Sequence, residues 1–230
     1  MKLVLFDIDG TLLTSAGLGR SSMRRALEEV FGSAGHEGYR YDGKTDRQIV
    51  REVMRLEGHS DEMIDERMSE LMSLYVGGLD HRIASGRFDV RPLPGVVELL
   101  DELEKQSDVI LGLLTGNIVE GARRKLAAAG LSIDRFKVNA FGSDHEHRPN
   151  LPAIAQQRAS ETLGIDVKRG RMIVVGDTPA DIACGRELGA RAIAVATGNY
   201  SVDDLKAHDP YAVFENLADT AAVMDAIARA

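Results

Sequence analysis

Asp7 and Asp9 stand one residue apart at the end of an apolar run, Val4-Leu5-Phe6-Asp7-Ile8-Asp9-Gly10-Thr11. Two anions at the mouth of a strand repel each other unless a cation or a proton lies between them. A strand that only had to stop would be served by any turn residues. The pair therefore asks for a divalent metal.

In an open parallel sheet, ligands bind beyond the carboxyl ends of the strands. Other strands of such a sheet should then also end in residues suited to metal or anion. Val109–Leu114 runs into Thr115-Gly116-Asn117, and Met172–Val175 runs into Gly176-Asp177-Thr178-Pro179-Ala180-Asp181. Each segment alone has an ordinary explanation. Thr-Gly-Asn is a common strand-to-helix turn, with Asn117 as cap and Glu120 at N3. Gly-Asp-x-Pro opens many loops, and Asp181 suits the first turn of a helix. Their recurrence at successive strand ends points instead to one shared site.

The elements that must hold this site follow from apolar periodicity. With Lys2–Phe6, the runs Val109–Leu114, Lys137–Phe141, Met172–Val175 and Ala192–Ala196 read as strands. Amphipathic stretches lie between them at Gly95–Lys105, Ile118–Ala129, Leu151–Leu163 and Ala180–Leu188, with a last one at Leu217–Ala228. This is the rhythm of an α/β fold, a Rossmann-like parallel sheet with crossover helices. Residues 15–88 break it, with three helical patterns and no convincing strand. Their apolar positions are Met23, Leu27, Val30 and Phe31; then Ile49, Val53, Met54 and Leu56 behind the capping-box pair Thr45/Gln48; then Met63, Ile64, Met68, Leu71, Met72 and Tyr75. The expected organisation is a core of residues 1–14 and 89–230 and an inserted α-helical cap, a lid, of 15–88.

Composition narrows the function. The chain has 230 residues, 44% apolar, enough for one large core and a smaller one. A net charge of −8 with no basic run argues against nucleic acid as a partner. No segment approaches the roughly 18 apolar residues of a membrane span. The lone Cys184 excludes an intrachain disulfide and, among Ile182, Ala183 and Leu188, reads as a small apolar residue. A cytoplasmic protein is expected.

Asp-x-Asp-Gly-Thr after an N-terminal strand, followed in order by Thr115-Gly116-Asn117 and the Asp177/Asp181 segment, resembles the haloacid dehalogenase-like hydrolases, in particular the phosphoglycolate phosphatase-like branch with a helical cap. The resemblance implies magnesium, Mg²⁺, as cofactor and a small phosphate ester as substrate. It makes Asp7 the nucleophile that becomes an aspartyl-phosphate, and Asp9 the general acid and then the base. A carboxylate pinned to a metal stays ionised while its neighbour exchanges a proton, so the division of roles is chemically sound. The implied metal ligands are the carboxylates of Asp7 and Asp177 and the Asp9 carbonyl, with Asp181 behind them. Thr115 would donate its hydroxyl, and Gly116 its N–H, to the transferring group, with Asn117 beside them. Gly10 permits a tight turn whose N–H groups, with Thr11, would face phosphoryl oxygens.

The family's third motif is usually a lysine; here Arg148 takes that part, in preference to Lys137 at a strand start or Lys168 in a turn. His145 and His147 on the same polar loop read as solvated. In Tyr41-Asp42-Gly43-Lys44-Thr45-Asp46-Arg47, Lys44 or Arg47 would grip the far end of the substrate. The alternatives are a sugar phosphomutase of the same superfamily and a non-catalytic binding protein on the same fold. Intact acids at residues 7, 9 and 177 argue against the second.

Overall fold

Lys2–Phe6 (β1) is buried along its whole length, the mark of a parallel strand covered on both faces. The computed structural model describes residues 1–167 and 170–230, so Lys168 lies outside the described residues. After β1 come β2 (Leu13–Thr14), α1 (Leu18–Phe31), α2 (Asp46–Leu56), α3 (Asp61–Ala84), β3 (Arg91–Pro92), α4 (Val96–Glu104), β4 (Val109–Thr115) and α5 (Val119–Ala128). The remainder is β5 (Val138–Phe141), α6 (Leu151–Leu163), β6 (Met172–Gly176), α7 (Pro179–Cys184), β7 (Arg191–Val195), α8 (Val202–Lys206), β8 (Ala212–Phe214) and α9 (Thr220–Arg229).

Six strands form one parallel sheet in the order β5-β4-β1-β6-β7-β8. Side chains alternate between its faces. Val4 and Phe6 join a cluster with Leu99 and Leu103 of α4, Leu126 of α5 and Ile227 of α9. Leu3 and Leu5 face the other way, onto Leu151, Ala155 and Ala159 of α6. Lys2, only 5% exposed, spends its ammonium on the last carbonyls of α9, those of Ile227 and Ala228. Cations are favoured at that end of a helix.

Helices α1–α3 share a separate apolar cluster that includes Leu27, Val53, Met54, Ile64, Leu71 and Tyr75 and meets the sheet layer at Ile118. The chain enters and leaves this layer through β2 and β3, which pair antiparallel with Leu13 opposite Pro92 and Thr14 opposite Arg91.

Several element ends differ from expectation, for local reasons. The helix expected over Ala180–Leu188 ends at Cys184 before Gly185 and resumes as one 3-10 turn. The last helix starts at Thr220 because the Asp219 carboxylate caps it, accepting Ala222 N–H at 3.0 Å. Leu56 is 70% exposed and Met63 47%, both at the corner between α2 and α3, so the apolar stripe is shorter than its spacing suggests. β8, an edge strand of three residues, is too short to be read from sequence.

Candidate active site

Phe6 pairs with Leu113 on one side and Val175 on the other, so three adjacent strands end at one level. Asp7 leaves β1 with its N–H on Val175 O at 2.9 Å, beside Thr115 at the end of β4 and Asp177 after β6. Oxygens of Asp7, Asp177 and Asp181 lie within 4.8 Å of one another, all buried. Against them stands one guanidinium. Arg148 Nη2 lies 3.1 Å from Asp7 Oδ1 and 3.3 Å from Leu114 O, and it also donates to Asp181.

One cation against three carboxylates leaves the cluster anionic. Burial, against the pull of Arg148 and with repulsion from Asp181 and Asp9, pushes Asp7 up to about 6. Burial and the charges of Asp181 and Asp7 push Asp177 well above the carboxylate range. A buried, electron-rich set of hard oxygen donors fits a magnesium ion. Asp181 is committed elsewhere, accepting Thr178 N–H at 3.0 Å and Thr178 O–H at 2.6 Å as well as Arg148.

Asp9 is held by a different set. Lys125 Nζ donates to its Oδ2 at 2.6 Å, Asn117 Nδ2 to the same oxygen at 2.8 Å, and Ser15 O–H to Oδ1 at 3.0 Å. Burial raises the Asp9 carboxyl, but the Lys125 charge and these hydrogen bonds overcome it and hold the group below its ordinary range. Two acids one residue apart thus sit in opposed environments. Thr115, fully buried, accepts from Asn117 Nδ2 at 2.8 Å and from Asn117 N–H at 3.3 Å, which leaves its own proton free to point elsewhere.

Three expectations are corrected here. Asn117 does not cap α5, because its amide is spent on Asp9 and Thr115; the helix start is satisfied by Asp46, accepting Ile118 N–H at 2.8 Å, and by Ser143, accepting Val119 N–H at 2.8 Å. The N–H groups of Gly10 and Thr11 do not face the cavity. They close a turn onto Leu13 O (2.9 Å) and Ile8 O (3.3 Å). Both residues instead serve Asp177: Thr11 donates to its Oδ1 at 3.2 Å, and a Cβ on Gly10, whose φ is 81°, would stand 2.3 Å from its Oδ2. Finally, Gln48 does not complete a capping box; Thr45 caps α2, but the Gln48 amide goes to Glu52.

A cavity of about 390 Å³ opens above the strand ends and runs up to α1–α3. Asp7, Asp9, Thr115 and Asp177 line its floor, while Arg20, Met23, Lys44 and Tyr75 are among its upper walls. Gly116 is bare where the loop before α2 crosses it: Asp46 N–H donates to Gly116 O at 2.8 Å. The two layers are also joined by Thr45 on Glu146 O and Arg51 on Glu146, each at 2.6 Å. Lys44 reaches the wall, but its ammonium lies 2.6 Å from Glu52 and 4.3 Å above the Tyr39 ring. Hydrogen bonds from Lys44, Tyr39 and Gln48 bring Glu52 down to about 2 against the upward push of burial. Arg47 stands outside the lining. Lys137 bonds Asp134 O, and His147 is exposed.

Lys125 escaped the sequence reading. Its one signal is a charge set among Gly121, Ala122, Leu126 and Ala129, on the stripe where α5 should be apolar.

Asp46 gives a prediction for the layer contact. Burial, partly offset by Lys125, pushes its carboxyl up to about 6 from 3.8. Between those values the folded chain holds a proton that the unfolded chain has lost, so stability falls as pH rises through that window and then levels. Asp46→Asn keeps an acceptor for Ile118 N–H and removes the burden. The variant is expected to match the parent near pH 4 and to exceed it by about 3 kcal/mol at pH 8 in urea unfolding.

The chain is similar to known proteins in sequence and in fold. A sequence profile described as haloacid dehalogenase-like hydrolase matches residues 4–195. The chain is 28% identical over 229 residues to "Pyrophosphatase PpaX" of Halalkalibacterium halodurans, covering 98% of each chain. It is 26% identical over 237 residues to "Phosphoglycolate phosphatase" of Agrobacterium fabrum, covering 96% of this chain and 95% of that one. The crystal structure of β-phosphoglucomutase from Clostridium difficile superposes with a TM-score of 0.71 at 17% identity, over 100% of this chain and 98% of that chain, which shows a shared fold.

Proposed function

The chain belongs to the haloacid dehalogenase-like hydrolases, and on that premise we propose that it hydrolyses a small phosphomonoester with Mg²⁺ through an aspartyl-phosphate on Asp7. The observation that carries this reading is the division of the acids: Asp7 shares a buried, charge-rich cluster with Asp177 and Asp181, while Asp9 is held apart by Lys125, Asn117 and Ser15. The relatives named as phosphatases support it.

In this mechanism an Asp7 oxygen attacks phosphorus in line, and the ester P–O bond breaks. Asp9, whose carboxyl is held below its ordinary range before substrate enters, takes up a proton as the ester binds and gives it to the departing alcohol oxygen. It then takes a proton from water, whose oxygen attacks phosphorus and frees Asp7 as phosphate forms. The Arg148 guanidinium offsets charge gathering between Asp7 and the phosphoryl group, and the Thr115 hydroxyl donates to a phosphoryl oxygen. Mg²⁺, held by the Asp7 and Asp177 carboxylates and the Asp9 carbonyl, would neutralise phosphoryl charge. Residues 15–88 act as the lid over a core of 1–14 and 89–230, closing the ester away from bulk water in the cytoplasm.

The test is phosphate release from a panel of small phosphomonoesters, with Mg²⁺ and with a chelator. Magnesium-dependent release without any bisphosphate activator is expected. A requirement for such an activator, with the phosphoryl group retained on sugar, would mark a mutase instead. Asp9→Asn is expected to lower kcat by roughly 10²–10⁴-fold, slowing both formation and breakdown of the phosphoenzyme in single-turnover experiments.

A further inference from the structure

The segment after β7, Ala196-Thr197-Gly198-Asn199-Tyr200, lies past residues 4–195 that the family profile matches, and the reaction as described gives it no part. It nevertheless lies against Asp177. A Cβ on Gly198 would stand 1.7 Å from Asp177 Oδ2 and 2.8 Å from its Cγ. The φ of Gly198 is not positive, so no left-handed backbone calls for glycine there; what the residue supplies is room. Gly10 withholds a second Cβ from the same oxygen, while Thr11 donates to the other, Oδ1, at 3.2 Å.

The loop that carries Gly198 is pinned on both sides of it. On the near side, Ala196 N–H donates to Phe214 O of β8 at 2.9 Å, and Thr197 O–H donates to the carbonyl of Gly10. Thr197 thus ties together the two glycines that flank the carboxylate. On the far side, Asn199 Nδ2 donates to Asp42 Oδ1 at 2.6 Å, and the Arg40 guanidinium lies 5.0 Å from the centre of the Tyr200 ring. The Asp177 carboxylate, by contrast, accepts a single hydrogen bond among the described residues, the one from Thr11. A methyl group at position 198 therefore turns the carboxylate before it moves the loop.

We propose that Thr197 and Gly198 are positioning residues for Asp177, fixing the orientation of its carboxylate so that the cluster favours Mg²⁺ over Ca²⁺. The proposal rests on the metal-dependent hydrolase reading. Mg²⁺ demands near-ideal octahedral geometry with oxygens at about 2.0–2.1 Å, whereas Ca²⁺ takes six to eight oxygens at about 2.3–2.6 Å in flexible arrangements. A carboxylate with one oxygen on Thr11 and the other flanked by two bare backbones keeps one orientation, which suits the stricter ion. A carboxylate free to turn still serves the larger one. Groups that orient a metal ligand from behind are ordinarily worth roughly 10–100-fold in metal affinity.

Gly198→Ala and Thr197→Val test this by thermal melting with Mg²⁺ and, separately, with Ca²⁺, a measure of metal binding that does not depend on turnover. In Gly198→Ala the Mg²⁺ concentration that produces a set rise in melting temperature is expected to increase roughly tenfold or more, and the Ca²⁺ concentration by less than about threefold. Thr197→Val keeps the side-chain volume and removes only the hydroxyl that ties the loop to Gly10. It is expected to raise the Mg²⁺ requirement about threefold with Ca²⁺ nearly unmoved, and it decides the matter if Gly198→Ala does not fold. An unchanged Mg²⁺ requirement in the variants, or equal losses for the two cations, would overturn the positioning role and leave the hydrolase standing. A parent that melts alike with and without Mg²⁺, and releases phosphate equally well in a chelator, would remove the metal-dependent reading and this proposal with it.

Discussion

Asp7→Asn is expected to abolish phosphate release, with kcat down by roughly 10⁴-fold or more, in a protein that stays folded. Asparagine has nearly the same shape, and the carboxylate it replaces is buried among like charges that already push its carboxyl up to about 6. Neutralising it relieves that repulsion, so chemical unfolding without metal should show a stability equal to or above the parent's. The same change removes a carboxylate from the group formed with Asp177 and Asp181. Mg²⁺ should then raise the melting temperature of the parent but not of the variant, because a ligand stabilises only the state that binds it. Retained turnover would exclude Asp7 as nucleophile. A full magnesium shift in Asp7→Asn would exclude it as a ligand.

Arg148→Met is expected to cost about 3–5 kcal/mol of stability and at least a hundredfold in kcat. The residue is 4% exposed, and a single nitrogen, Nη2, faces Asp7, Asp181 and Leu114 O together. Removing it strands two buried carboxylates. Arg148→Lys is a different experiment. Three acceptors around one nitrogen suit an ammonium with three N–H groups, and Arg148 Nε, buried without a partner among the described residues, becomes a methylene. The lysine is one bond shorter. Even so, it should keep most of the stability and lose no more than about tenfold in kcat, as urea unfolding and steady-state rates will show. If Met and Lys behave alike, the charge at this position does not matter.

The parts of the site legible in the sequence share one property: they end strands. Asp7, Thr115 and Asp177 are each announced by an apolar run that stops abruptly, and parallel pairing brings such stops together. Asp181 was recoverable as a neighbour of one of those stops and Arg148 only through the resemblance to the family's third motif, and their mutual contact is a matter of packing. The donors around Asp9 were not legible. Lys125 comes from a helix face and Ser15 from the exit turn, and no spacing rule connects either to residue 9. Asn117 was found, but a strand-to-helix turn offered it an ordinary cap, and only the position of Asp9 diverts its amide. The same limit applies to Gly10 and Thr11, whose turn reads as an anion cradle until its N–H groups are seen to close on Ile8 and Leu13. Helix and strand types followed from periodicity. Their ends depended on Gly185 and Asp219, which act over single residues.

Because β2 and β3 lie side by side, the chain departs from the sheet layer and returns to it at neighbouring points. Everything between them is, in covalent terms, a detour with a narrow mouth. Cutting it out and closing the gap with a short turn would leave every strand of the six-stranded sheet in its present order. Such a layout lets an ancestral scaffold exchange one helical attachment for another by recombination at that doorway, acquiring new selectivity without re-inventing the reactive centre.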